Sequence, residues 1–76
     1  MIKDYAAAYN DRGVAYKSKG DYDRAIADYG QAIAARSAIC RRLHNRGIAY
    51  KAKGDNDRAA ADFKKAVSLD PKLRQK

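Results

Sequence analysis

Cys40 and His44 are the side chains of this 76-residue sequence best suited to metal ligation or nucleophilic chemistry. They stand four apart, so on a helix they share one face. There they would supply half of a metal site, to be completed by a second chain, because the sequence has no other Cys or His. His44 has no Ser or Cys at a triad-like arrangement and no carboxylate dyad around it. No catalytic residue, metal site or cofactor is therefore assigned, and His44 reads as a surface or binding residue. The single thiol forms no intrachain disulfide and reads as a small, partly buried hydrophobe, with a bridge between two chains left open.

The second kind of chemistry on offer is electrostatic. The formal charge is +8, and it is lopsided. Residues 1–38 carry six Lys and Arg against five Asp, a net of +1, whereas residues 39–76 carry eleven against four, a net of +7. Arg36, Arg41, Arg42, Arg46, Lys64, Lys65, Lys72 and Arg74 supply cations that would displace counterions from RNA or DNA. The same charge also serves an acidic protein partner, or plain solubility. The sequence has six tyrosines. They suggest stacking platforms, but Tyr9, Tyr16, Tyr29 and Tyr50 recur on an inward stripe and read as core.

No apolar run approaches the roughly 18 residues that a membrane span needs. Met1-Ile2-Lys3-Asp4 is not followed by the apolar stretch of a secretory signal, and a cytoplasmic location is expected. A chain this short makes one small domain with a thin core.

What would position these residues is an internal repeat. Arg12-Gly13-Val14-Ala15-Tyr16-Lys17-Ser18-Lys19-Gly20-Asp21 returns as Arg46-Gly47-Ile48-Ala49-Tyr50-Lys51-Ala52-Lys53-Gly54-Asp55, 34 residues later. A constant period in this range marks a stacked repeat architecture. The fold expected is all-α: a helix-turn-helix solenoid of two repeats and four helices.

The first helix is expected from Asp4, as cap, to about Ser18, with Tyr5, Tyr9, Gly13 and Tyr16 on one stripe. Gly20 closes it in left-handed geometry, and Asp21 caps a second helix from about Tyr22 to Ala35. That helix turns Tyr22, Ala25, Ile26, Tyr29, Ala32 and Ile33 inward, and Arg24 pairs with Asp28 on its outer face. A third helix, about Ile39 to Ala52, carries Leu43, Gly47 and Tyr50. Gly54 and Asp55 repeat the joint. A fourth helix, about Asn56 to Leu69, turns Ala59, Phe63, Ala66 and Val67 inward. Asp70-Pro71 stops it, and a basic tail follows. Glycine inside a helix costs about 1 kcal/mol against alanine. Its recurrence at Gly13 and Gly47 predicts a facing helix too close for a side chain.

The joint between the repeats lacks Gly and Pro from Ala34 to Leu43. Two readings stay open: a turn capped by Ser37, or fusion of helices two and three into one rod from about Tyr22 to Lys53, whose exposed hairpins a second chain would cover by domain swapping.

These residues resemble the tetratricopeptide repeat, a 34-residue helix-turn-helix unit. Its pattern positions read Tyr9, Gly13, Tyr16, Gly20, Ala25, Tyr29, Ala32 and Ser37 in residues 6–39. They read Leu43, Gly47, Tyr50, Gly54, Ala59, Phe63, Ala66 and Pro71 in residues 40–73, leaving residues 74–76 as a basic tail. Ser37 departs from the pattern's Pro, and Arg12 and Arg46 stand where the family usually has Leu. The resemblance implies a protein-interaction scaffold with a groove lined by the first helix of each pair. Groove residues by that pattern are Asn10, Val14 and Lys17, then Arg41, His44, Asn45, Ile48 and Lys51. Several are donors or cations suited to an acidic peptide or a C-terminal carboxylate. Some members hold carboxylates in a clamp of Lys, Arg and Asn; Asn10 and Asn45 fall near such places, but Val14 stands where an Asn is expected. The family's RNA-reading relatives use a slightly longer unit, which favours protein over nucleic acid. Two repeats leave uncovered end surfaces, so a homo-oligomer is expected.

Overall fold

The computed structural model describes residues 2–35 and 39–69, with side chains from Tyr5 onward. Four helices make it up: α1 (Ile2–Ser18), α2 (Tyr22–Ala34), α3 (Ile39–Lys53) and α4 (Asn56–Leu69). Each packs on its neighbour in sequence, α1 on α2, α2 on α3 and α3 on α4. No strand occurs among the described residues. α1 already runs through Asp4, so this residue does not start the helix as the capping argument expected. Ser37, the Asp70-Pro71 stop and the basic tail lie outside the described residues.

The two joints within the repeats are near copies. Gly20 has φ +85° and Gly54 φ +96°, a conformation that a side chain would strain. The chain therefore reverses there and feeds orphan carbonyls of the ending helix. Asp21 N–H donates to Tyr16 O at 2.9 Å and Gly20 N–H to Lys17 O at 2.9 Å. Asp55 N–H donates to Tyr50 O at 2.8 Å and Gly54 N–H to Lys51 O at 3.0 Å. The same aspartates then open the next helix. Asp21 Oδ1 accepts from Arg24 N–H at 3.3 Å, and Asp55 Oδ1 from Arg58 N–H at 3.2 Å. Such caps contribute about 1 kcal/mol each.

α2 and α3 are separate helices rather than one rod. α2 ends at Ala34, and the N–H of Ala35 returns to the carbonyl of Gln31 at 3.1 Å. α3 then runs back along α2, so that Lys53 at its end meets Asp23 at the start of α2. The reason is burial. Ala25, Tyr29 and Ala49 form one core cluster, with Tyr16 and Ile26 packed against it. A rod would open that cluster, and the helix propensity of a short linking stretch does not outweigh it.

The core is built from small side chains. Ala6, Ala25, Ala32, Ala49 and Ala66 are fully buried, and Tyr29 is the one large side chain of which this holds among the described residues. Small residues let helix axes approach closely, while each adds only about 0.8 kcal/mol per buried methylene-sized group. Tyr5 departs from the inward stripe expected for it: it is 65% exposed, while its neighbour Ala6 takes the buried position on that turn of α1.

Gly13 and Gly47 behave as predicted. A Cβ on Gly13 would lie 2.8 Å from Cε1 of Tyr29, and one on Gly47 would lie 2.6 Å from Cε1 of Phe63. In each repeat the second helix brings an aromatic ring against the bare backbone of the first.

Candidate peptide groove

The first helices of the repeats, α1 and α3, carry all eight groove positions. Asn45 Nδ2 donates to Asn10 Oδ1 at 3.1 Å, a part-buried bond that ties α3 to α1. Both amides are half-buried, and this bond occupies the Asn10 oxygen. One helical turn further on, Val14 is 40% exposed and Ile48 36%, two large apolar side chains facing water at equivalent positions. Lys17 and Lys51 follow three residues after each, so each repeat presents an apolar side chain beside an ammonium. Lys17 is half-buried, and Arg41 and Lys51 are exposed. None of these three cations pairs with another described residue.

His44 leans towards α4. Its ring centroid lies 5.2 Å from that of Phe63, tilted by 51°. Cys40 is a free, half-buried thiol. Among the described residues no three His, Cys, Asp or Glu side chains converge as metal ligands.

The scaffold that holds these positions is braced by ion pairs, and here the sequence reading needs correction. Asp28 does not sit on an outer face beside Arg24. It is 5% exposed and accepts from Arg12 across the hairpin, Nε to Oδ2 at 2.8 Å and Nη2 to Oδ1 at 2.9 Å. Arg24 turns to Asp21 instead. The second repeat duplicates the device. Asp62, 7% exposed, takes Nε and Nη2 of Arg46 at 2.8 and 2.9 Å. Such two-pronged, charge-assisted pairs fix geometry as well as adding energy. The guanidinium carbon of Arg12 lies 5.9 Å from the Tyr16 ring centre and that of Arg46 lies 5.8 Å from the Tyr50 ring centre, so each cation also covers an aromatic face. Hydrogen bonding to its aspartate, then the aspartate's charge, holds the Arg12 guanidinium above the ordinary arginine range, and Arg46 shifts the same way chiefly through its hydrogen bond. The signal was present in the sequence: an Arg and an Asp sixteen residues apart, twice, in register.

A further pair crosses between repeats, from Lys53 Nζ to Asp23. The hydrogen bond to Asp23, with Coulomb attraction behind it, raises the Lys53 ammonium above the usual lysine range.

Of the eight cations that favoured nucleic acid, Arg42 is buried at 8% exposure and Arg46 is committed to Asp62. Arg41, Lys64 and Lys65 remain exposed, and Arg36, Lys72 and Arg74 lie outside the described residues.

Antiparallel helix pairs with matching caps, matching ion pairs and matching glycine–ring contacts, stacked 34 residues apart, define a helical-repeat scaffold. The chain belongs to the tetratricopeptide repeat family, whose model matches residues 6–36 and 41–73. Repeats of this family are non-enzymatic scaffolds that generally mediate protein–protein interaction. No curated protein and no solved structure matches the chain. No helix among the described residues is long and apolar enough to cross a membrane.

Proposed function

We propose that the chain binds an extended, acidic peptide or a partner's C-terminal carboxylate along α1 and α3, and that its open ends associate with one another. The observation that carries the groove reading is the in-register pair of apolar and cationic side chains, Val14 with Lys17 and Ile48 with Lys51. An extended peptide running across two parallel elements meets the same chemistry at each step, an apolar contact followed by a charge. Arg41 extends the cationic side, while His44, Asn10 and Asn45 act as hydrogen-bonding neighbours. Loss of two of the eight cations to burial and ion pairing weighs against nucleic acid as the ligand.

The test is titration calorimetry or fluorescence anisotropy with a library of acidic-tailed peptides, against the native chain and a Lys17→Ala/Lys51→Ala variant. Both lysines point to solvent at least in part, so the variant keeps the native helix content. The expected loss of affinity is roughly thirtyfold or more, because two charge-assisted contacts are removed and each is worth about 1 kcal/mol or more. Equal affinity of the two proteins, or a low-salt gel shift with RNA tighter than any peptide, rejects the reading.

A further inference from the structure

We propose that copies of this chain stack head to tail, with α1 of one copy seated on α3 and α4 of the next in the register by which α3 seats on α1 and α2. The inference rests on the self-association reading above and specifies its surface. The internal junction between the repeats is the template. There Ala49 on α3 is fully buried, Tyr29 on α2 is fully buried, Lys53 pairs with Asp23, and Asn45 bonds Asn10.

Shifting each residue by the 34-residue period gives the two ends of the chain. On α1, Ala15 is the counterpart of Ala49 and is exposed. On α4, Phe63 is the counterpart of Tyr29 and is only half-buried. Lys19 and Asp57 stand where Lys53 and Asp23 stand, so the cross-junction ion pair would form again between copies. Asp11 stands where Asn45 does and His44 where Asn10 does, and this pair keeps donor–acceptor complementarity: an imidazole N–H would meet a carboxylate. α1 also bears an open hollow of about 270 Å³ lined by Tyr5, Ala8, Tyr9 and Arg12. Their counterparts on α3 include Arg42 and Leu43, which are buried at 8% and 3% exposure. The exposed face of α1 thus holds the positions that α3 buries at the internal junction, with complementary charges at its rim.

One exchange opposes the stack. Gly30 leaves room for Arg46, whose Nη1 lies 3.7 Å from where a Cβ would be. Its counterpart is Lys64, which would face Arg12 of the next copy with like charge. Such a contact is heterologous and does not close on itself by a two-fold axis, so assembly runs on beyond a dimer.

The experiment is sedimentation equilibrium of the 76-residue chain from micromolar to millimolar concentration. The weight-average mass is expected to climb past the dimer without a plateau. A strictly monomeric chain sinks the self-association reading as a whole, whereas a plateau at the dimer sinks the head-to-tail register alone. Ala15→Arg fills the α1 face with a long side chain at a position exposed in the single chain, so helix content and Tm are unchanged while association weakens roughly tenfold or more. Ala27→Arg, on the exposed side of α2, leaves association intact. Association that survives Ala15→Arg overturns the proposal. Lys64→Ala removes the adverse contact and tightens association several-fold; unchanged association in that variant also overturns the register. Lys19→Asp and Asp57→Lys each weaken association alone, and mixing the two restores it, since each then offers the charge the other lacks. A mixture that stays dissociated counts against the stack.

Discussion

Tyr29 and Phe63 occupy the same place in two nearly identical repeats, yet one is sealed and the other is half open. Each ring lies against the glycine of its own hairpin. The difference comes from the next helix along. α3 covers the outer side of Tyr29 and contributes Ala49 to its cluster, while no described element covers the outer side of Phe63. The same contrast runs the other way on the first helices. The Arg12 side chain is 59% exposed and that of Arg46 26%, because α2 lies over the second and nothing described lies over the first. A repeat of this kind therefore owns about half of its core, and its neighbour supplies the rest.

The largest expected effect sharpens that contrast. Tyr29→Ala empties the site on which the junction of the two repeats depends, a loss of about 3–5 kcal/mol for a fully buried ring. In so small a domain this removes most of the stability. Phe63→Ala, at a half-open site, costs about half as much, since less area leaves water and the surroundings relax more freely. Urea unfolding followed by far-ultraviolet circular dichroism at low protein concentration measures both. Equal losses would mean that the repeats do not differ in the way their burial indicates.

A subtler effect separates distance from freedom to move. Alanine in a helix is favoured over glycine by about 1 kcal/mol. Gly13→Ala nevertheless destabilises, because the new Cβ at 2.8 Å strikes a Tyr29 ring that is enclosed on every side. Overpacking of this kind costs about 1–3 kcal/mol, giving a net loss of roughly 1 kcal/mol. Gly47→Ala makes the shorter contact, 2.6 Å to Phe63, and still costs less. Its ring borders open space and swings away, so the propensity gain offsets the clash. The ratio of the two midpoints in urea decides it. A greater loss at Gly47 would show that the contact distances, and not the enclosure, govern the outcome.

Much of this was legible from residue types and period alone. Small residues repeating at 34 announced the hairpins, and the Gly-Asp joints announced both their closure and their next caps. What was hidden depends on contacts distant in sequence. Arg12 and Arg46 looked like departures from a leucine position, whereas each answers a buried aspartate in the facing helix. Local spacing suggested Arg24 for Asp28, since side chains four apart on a helix are neighbours; burial of the carboxylate against α1 overrode it. Tyr5 shares the helical period of the core stripe, but a period says which way a residue points and not whether anything is there to meet it. The linking stretch from Ala34 to Leu43 has the composition of a helix, and only the burial gained by folding α3 back on α2 decides against continuity. The groove residues were placed by pattern alone, and the pairing of Asn10 with Asn45 required coordinates.

The smallest expected effect makes the two repeats alike. The Tyr29 hydroxyl is buried and meets no hydrogen-bond partner among the described residues, whereas Phe63 has no hydroxyl to satisfy. An unpaired buried hydroxyl is costly, so Tyr29→Phe raises stability at neutral pH by about 1 kcal/mol. It also changes the alkaline limb. Burial pushes the Tyr29 phenol above its usual range, so the unfolded chain gives up that proton first as pH rises. In that window the unfolded state binds fewer protons than the folded one, and stability falls with increasing pH. Below the ordinary phenol range near about 10 the residue contributes no pH dependence. Lys53, held above its ordinary range by Asp23, adds a loss of the same sign, but it is present in both proteins and cancels in their difference. The stability gap between Tyr29→Phe and the native chain is therefore flat at neutral pH and widens above it. A gap that stayed constant through the alkaline range would mean that the phenol reaches water, and that Tyr29 is no more enclosed than Phe63.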